Sequence, residues 1–191
     1  MIDPRQVVSD LVRLARTRPD LALEQAESLL QRAPDFVPVL CLAASLARRA
    51  GDLDRAGRHL ENALAKDPDA PPALAEMGTL AATRNDFSTA ARCYRALVGR
   101  GGDHPDLWIN LALAEEKLGR FDAAVDAYGK ALSVDIPDAP DVRSRLAGAL
   151  AMAGRETDAR AEYQRVLEED GDNAAAHFGL GMLDQSAGDL K

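Results

Sequence analysis

The chain has 191 residues, 47% of them hydrophobic and 28% charged, a balance that supports a folded core and excludes a disordered chain. Its net charge of −8 argues against a dedicated nucleic-acid binder, which carries a basic footprint. The charge is uneven, with 14 Lys and Arg against 13 Asp and Glu over residues 1–100 and 9 against 18 over residues 101–191.

The N-terminus, "MIDPRQVVSD", has no apolar run and does not read as a signal peptide. No stretch is apolar for long enough to cross a membrane. "VVSDLVRLAR" reads as one helix and "DLALEQAESLLQRA" as the next, joined by a short turn at Arg18–Pro19. A period then becomes visible. Ala22, Ala56, Ala90 and Ala124 are spaced by 34 residues, and Ala159 follows after 35. Four residues beyond each stand Ala26, Leu60, Tyr94, Tyr128 and Tyr163. Turn residues share the register at Gly51, Asn85, Gly119, Gly154 and Gly188. Two positions past the turn come Leu53, Phe87, Phe121 and Leu190, with Glu156 departing.

Each period predicts two helices. In "WINLALAEEKLGRFDAAVDAYGKAL", Asp106 just upstream is the expected N-cap, and Leu107, Leu111, Ala114 and Leu118 follow at helical spacing. Gly119 ends that helix, because glycine takes the left-handed conformation cheaply. Asp122 is expected to open the second, which carries Ala124, Val125, Tyr128, Ala131 and Leu132. Helix stops stand at "KDPDAPP" (66–72), "GRGGDHP" (99–105), "SVDIPDAP" (133–140) and "EEDGDN" (168–173). The predicted units are 3–36 (degenerate), 37–70, 71–104, 105–139, 140–173 and a half unit, 174–191, in one domain spanning 1–191. No strand-like alternation is long enough to matter.

Trp108, Leu111, Ala124, Tyr128, Ala131 and Pro137 fall on or beside the pattern W-x2-L-G-x2-Y, then A-x3-F, then P. Ala112 replaces the glycine, Glu115 the first tyrosine, and Pro137 comes one residue late. In period and pattern the chain resembles the tetratricopeptide repeat. The resemblance implies an all-α fold, a right-handed α-solenoid of antiparallel helix pairs. Small residues at Ala56, Ala90 and Ala124 would let paired helices approach to about 8–10 Å. A lone pair leaves one apolar face open, so several units must stack.

Catalytic motifs are absent: no GxxxxGK[ST], HExxH, GxSxG or paired-cysteine box. "GLG" at 179–181 lies on a predicted helix. His59 is read as a surface or half-buried helix residue, His104 as a turn residue and His177 as a packing residue in the slot of the tryptophan. Trp108 is read as core, Cys41 as groove wall and Cys93 as helix packing; the two cysteines have no disulfide or zinc spacing. No catalytic, cofactor-binding or metal-ligating residue is expected, and the chain as given does not read as an enzyme.

The resemblance implies a concave groove lined by the first helix of each unit. The register places there Cys41, Leu42, Ser45 and Arg49; Ala75, Glu76, Thr79 and Thr83; Ile109, Asn110, Leu113 and Lys117; Ser144, Arg145 and Met152; and Phe178, Met182 and Gln185. Family members that clamp a C-terminal carboxylate need five polar positions. Only Asn110 and Arg145 match, while Ala75, Thr79 and Asp141 depart, so that clamp is not expected. The expected function is a noncatalytic protein- or peptide-binding scaffold in the cytoplasm, without cofactor, nucleic acid or membrane. Two alternatives stay open. One is an N-terminal targeting or substrate-recruiting module of a larger enzyme, such as a glycosyltransferase, sulfotransferase or hydroxylase, whose catalytic domain lies beyond residue 191. The other is homo-oligomerisation through terminal helices, with Leu180 and Leu183 partly uncovered.

Overall fold

A computed structural model describes residues 4–133, 136 and 139–188. These form helices α1 (Pro4–Thr17), α2 (Pro19–Leu30), α3 (Val37–Arg49), α4 (Leu53–Lys66), α5 (Pro71–Thr83), α6 (Phe87–Val98), α7 (Pro105–Lys117), α8 (Phe121–Ala131), α9 (Ala139–Met152), α10 (Glu156–Glu169) and α11 (Ala174–Gly188), with no strand among the described residues. The all-α arrangement of helix pairs expected from the sequence is therefore what the chain adopts. Pro137 and Leu190 lie outside the described residues. The helices gather into two compact units, residues 1–97 and 98–191.

Local chemistry explains the ends of the helices. Proline sits in the first turn of α2, α3, α5 and α7, where its missing N–H costs nothing and its fixed φ suits the helix. Gly51, Asn85, Gly119 and Gly154 take φ of 86°, 60°, 70° and 76°. After each, the next amide reaches back across the last helical turn. Asp52 donates to the Ala47 carbonyl, Asp86 to Ala81, Arg120 to Glu115 and Arg155 to Leu150, all within 2.8–2.9 Å. This is the closing bond of the Schellman motif, repeated four times. The Asp52 carboxylate then caps α4 by accepting from the Arg55 amide at 2.9 Å.

Three expectations about helix ends are corrected. His104, not Asp106, caps α7, its Nδ1 accepting from the Asp106 amide at 3.3 Å. Pro105 takes the first helical position, so the cap must precede it. Helix α8 opens at Phe121, with Asp122 inside its first turn. Gly188 lies within α11 and has no left-handed φ.

In unit 1, α3 packs on α2, α4 and α5, and α4 reaches α5. In unit 2, α9 packs on α8, α10 and α11, with α7 on α8 and α10 on α11. The alanine track makes this possible: Ala22, Ala56, Ala90, Ala124 and Ala159 are wholly buried. The residues four positions on, Leu60, Tyr94, Tyr128 and Tyr163, fill the space beside the next helix and are also buried. A Cβ added to Gly78 would stand 2.9 Å from the Tyr94 ring, so the ring rests directly on the α5 backbone. Trp108 is half-buried rather than core. His177, expected to pack, is exposed, and its Nε2 meets the Gly171 carbonyl at 2.9 Å. An imidazole that finds a loop carbonyl at the edge has no need to enter the core.

The seam between α2 and α4 is closed by charge. Glu27 accepts from both forks of the Arg55 guanidinium, and His59 Nε2 lies 3.2 Å from its carboxylate. Burial pushes the Glu27 pKa up, but the bonds from Arg55 and His59 outweigh it and hold it below its ordinary 4.5. The folded value is thus below the unfolded one. This contribution to stability is complete above the unfolded value and is lost as pH falls through the folded value. Urea midpoints measured from about pH 6 to about pH 3 should fall less steeply for Glu27→Gln than for the parent chain. Equal slopes would remove this seam from the acid sensitivity.

Candidate functional site

The residues that the register assigns to the first helices differ in exposure between unit 1 and unit 2. On α3 the Cys41 side chain is buried. Burial, followed by the nearby Glu76 carboxylate, pushes its thiol up to about 11. It is a neutral packing group rather than a groove wall or nucleophile. Leu42 is half-buried against the core, Ser45 is half-buried, and Arg49 is exposed. On α5, Ala75, Glu76 and Thr79 are half-buried and Thr83 is exposed. Their polar atoms are largely spent within unit 1. Arg48 donates to Glu76 at 3.3 Å. The Thr79 hydroxyl donates to the Ala75 carbonyl at 3.0 Å and lies 3.3 Å from the Tyr94 hydroxyl. Thr83 donates to the Thr79 carbonyl at 2.9 Å.

In unit 2 the face is more open. On α7, Ile109, Asn110 and Leu113 are half-buried and Lys117 is exposed. On α9, Arg145 is exposed, and Met152 at 66% is more so. On α11, Phe178 is 71% exposed and Met182 52%, and Gln185 is exposed beside them. Ser144 does not belong to this face. It is buried, and its hydroxyl donates to Asn173 Oδ1 at 3.4 Å. The same oxygen accepts from the Ala176 amide at the start of α11, so Ser144 serves the packing of α9 on α11. Leu183 is likewise buried and Leu180 half-buried. Among the described residues of α11, the large apolar side chains left exposed are Phe178 and Met182.

Beneath the face of unit 2 lies a contact that periodicity did not reveal. The Tyr128 hydroxyl donates to Glu116 at 2.8 Å, and Arg145 bears on the phenol oxygen of Tyr128. Burial, then the bond to Glu116, raises the phenol pKa well above its ordinary range. Glu116 and Arg145 occupy the same repeat positions as Arg48 and Glu76 in unit 1. The order of charges at these positions is exchanged: basic then acidic in unit 1, where the two pair with each other, and acidic then basic in unit 2, where both act on the Tyr128 hydroxyl. The signal in the sequence was available at one position before the candidates Arg49 and Lys117.

Among the described residues, no group of three His, Cys, Asp or Glu side chains is placed to hold a metal ion. No described helix is long and apolar enough to cross a membrane.

Residues 75–132 and 110–174 match the family model described as tetratricopeptide repeat, together more than half of the chain. The chain belongs to the tetratricopeptide repeat family. Its fold is shared with solved structures of low sequence identity. A crystal structure of MamA superposes with a TM-score of 0.76 at 19% identity, covering 91% of this tetratricopeptide repeat chain and 96% of the other. A MamA structure from Desulfovibrio magneticus RS-1, starting at residue 41, gives 0.76 at 18% identity over 91% and 99%. YrrB, described as a tetratricopeptide repeat protein with an unusual peptide-binding site, gives 0.77 at 20% identity over 86% and 84%. At such identities the likeness concerns the fold alone. No curated protein matches the chain significantly.

Proposed function

We propose that the chain is a noncatalytic scaffold that holds a peptide segment of a partner protein on its first helices, with unit 2 as the main contact. One observation carries this reading. Among the described residues, the large hydrophobic side chains left exposed are Val12, Met152, Phe178 and Met182, and the last three stand on the first helices of unit 2. Exposed apolar side chains collected on one face mark an interaction surface. Methionine and phenylalanine adapt well to a partner's side chains. Asn110 and Arg145 add hydrogen-bonding groups that can fix a peptide backbone or carbonyl. The peptide-binding site of YrrB, on the same fold, supports this use of the architecture. Cys41 and Cys93 are buried free thiols, which supports a reducing compartment such as the cytoplasm.

The test uses Arg145→Glu together with Asn110→Ala against a partner recovered by affinity capture. Loss of the two polar anchors should weaken binding by about tenfold or more. Unchanged affinity, with an unchanged thermal melt, would remove this face from the function.

A further inference from the structure

The seams between second helices differ between the two units. In unit 1, Glu27 of α2 spans the seam to Arg55 and His59 of α4. Carried along the repeat, Glu27 becomes Gly129 of α8, while Arg55 and His59 become Asp158 and Glu162 of α10. The spanning side chain is missing in unit 2, and the two residues it would meet are acidic where those of unit 1 are basic. A cleft of about 610 Å³ opens there, lined by Gly129, Asp158 and Glu162 among others. A Cβ built on Gly129 meets nothing within 4 Å.

The chemistry of the cleft is specific. Its floor is apolar, formed by Val125, Leu146 and Leu150. Lys130, Arg155 and Arg165 also reach the rim, but two of these are engaged on their own helix. Both bonds from Arg155 go to a single oxygen of Asp158, Oδ2, at 3.1 and 2.9 Å. Arg165 pairs with Glu162 at 2.6 Å, and Glu162 also accepts from Arg143 at 3.1 Å. Glu162 is only 15% exposed and is held by Arg143 as well, whereas Arg155 and Asp158, three residues apart, are both about half exposed. An exposed pair such as Arg155–Asp158 contributes little and exchanges readily for a better partner. The lining itself is balanced, Asp126, Asp158 and Glu162 against Lys130, Arg155 and Arg165, and the wider field favours cations, since residues 101–191 hold 18 acidic against 9 basic residues.

We propose that this cleft receives a basic side chain, arginine or lysine, from a segment of a partner protein. The aliphatic stem lies on Val125, Leu146 and Leu150, as long basic side chains cover apolar surface elsewhere. The charged head stands opposite Gly129 and bonds to Asp158 and Glu162. The unit thereby gains from outside the cross-seam ion pair that Glu27 supplies internally in unit 1. Arginine fits best, because its planar fork can address two carboxylates at once. This contact is separate from the first-helix face and adds a second point of attachment on the same unit.

The experiment is a titration of the ¹⁵N-labelled full chain with a blocked peptide of alternating leucine and arginine, followed by amide shifts. The same peptide with glutamate in place of arginine is the control. Shifts should centre on Gly129, Ser133 and Leu150, and the glutamate peptide should leave them unmoved. Gly129→Lys places a cation in the cleft from within, in open space where the variant folds, and should weaken binding by at least about tenfold. Asp158→Asn should weaken it by about threefold or more. Equal binding of the glutamate peptide, full affinity in Gly129→Lys, shifts centred on Phe178 and Met182, or no shifts at all would each overturn the proposal.

Discussion

Replacing Tyr128 with alanine lowers the stability of unit 2 by about 3–5 kcal/mol. Among the described residues, the ring is the largest of the fully buried side chains. It stands in α8, four residues after Ala124, and fills the space where α8 meets α9. Truncation forfeits its transfer free energy and leaves a cavity that rigid helices close only in part. Its hydroxyl is a smaller matter. Tyr128→Phe keeps the ring and loses the bond to Glu116, at a cost of about 1–2 kcal/mol, because a half-buried carboxylate regains water. Trp108 is the sole tryptophan and lies on α7 of the same unit. Urea unfolding followed by its fluorescence therefore reports on unit 2. A cost for Tyr128→Ala no larger than that of Tyr128→Phe would show that the ring does not fill this space.

The second large effect comes from adding atoms. A Cβ at Gly179 would stand 2.1 Å from Cζ of the Tyr163 ring and 2.4 Å from Cε2. Tyr163 cannot swing away freely, because it is buried and its hydroxyl already faces Gly148 at 3.5 Å from that residue's Cβ position. Gly179→Val must push α11 from its seat, costing about 1–3 kcal/mol or more. The expected signature is local: α11 amides lose protection from hydrogen exchange while α7 and α8 keep theirs. Gly181, two residues on, has nothing within 4 Å of its Cβ position. Gly181→Ala should leave the protection intact and add up to about 1 kcal/mol through helix propensity. Equal protection in the two variants would mean that Tyr163 does not hold α11 as described.

The repeat was readable because it multiplies weak local signals. One alanine before one tyrosine says little. Ala90 with Tyr94, Ala124 with Tyr128 and Ala159 with Tyr163, in phase with Asn85, Gly119 and Gly154, say a great deal. Turn chemistry was readable for the same reason, since each turn must place one residue at positive φ. Contacts made by single residues across elements were not. Ser144 shares the repeat position of Ile109 and so was placed on the open face. Only the fold brings Asn173, from the loop before α11, close enough to bury it. Periodicity states which side of a helix a residue occupies; it does not state what another element brings to that side. His177 was misplaced for the same reason, and Gly129 passed unnoticed because a missing side chain matters only beside the residues it would have met. The exposed apolar residues Met152, Phe178 and Met182 were named from the register, and the uneven exposure of the two units came from the structure.

The exchanged signs of Arg48 with Glu76 and of Glu116 with Arg145 bear on how such a chain assembles. Repeated hairpins of nearly equal shape invite docking in the wrong order, since any apolar face offers a seat to any other. Here the wrong neighbour carries the wrong sign. With α3 against α9, Arg48 would meet Arg145; with α7 against α5, Glu116 would meet Glu76. Both errors set like charges together beside buried tyrosines, where repulsion is screened less than in open water. Charge at these repeat positions thus disfavours two of the wrong dockings that near-equal shapes would otherwise allow.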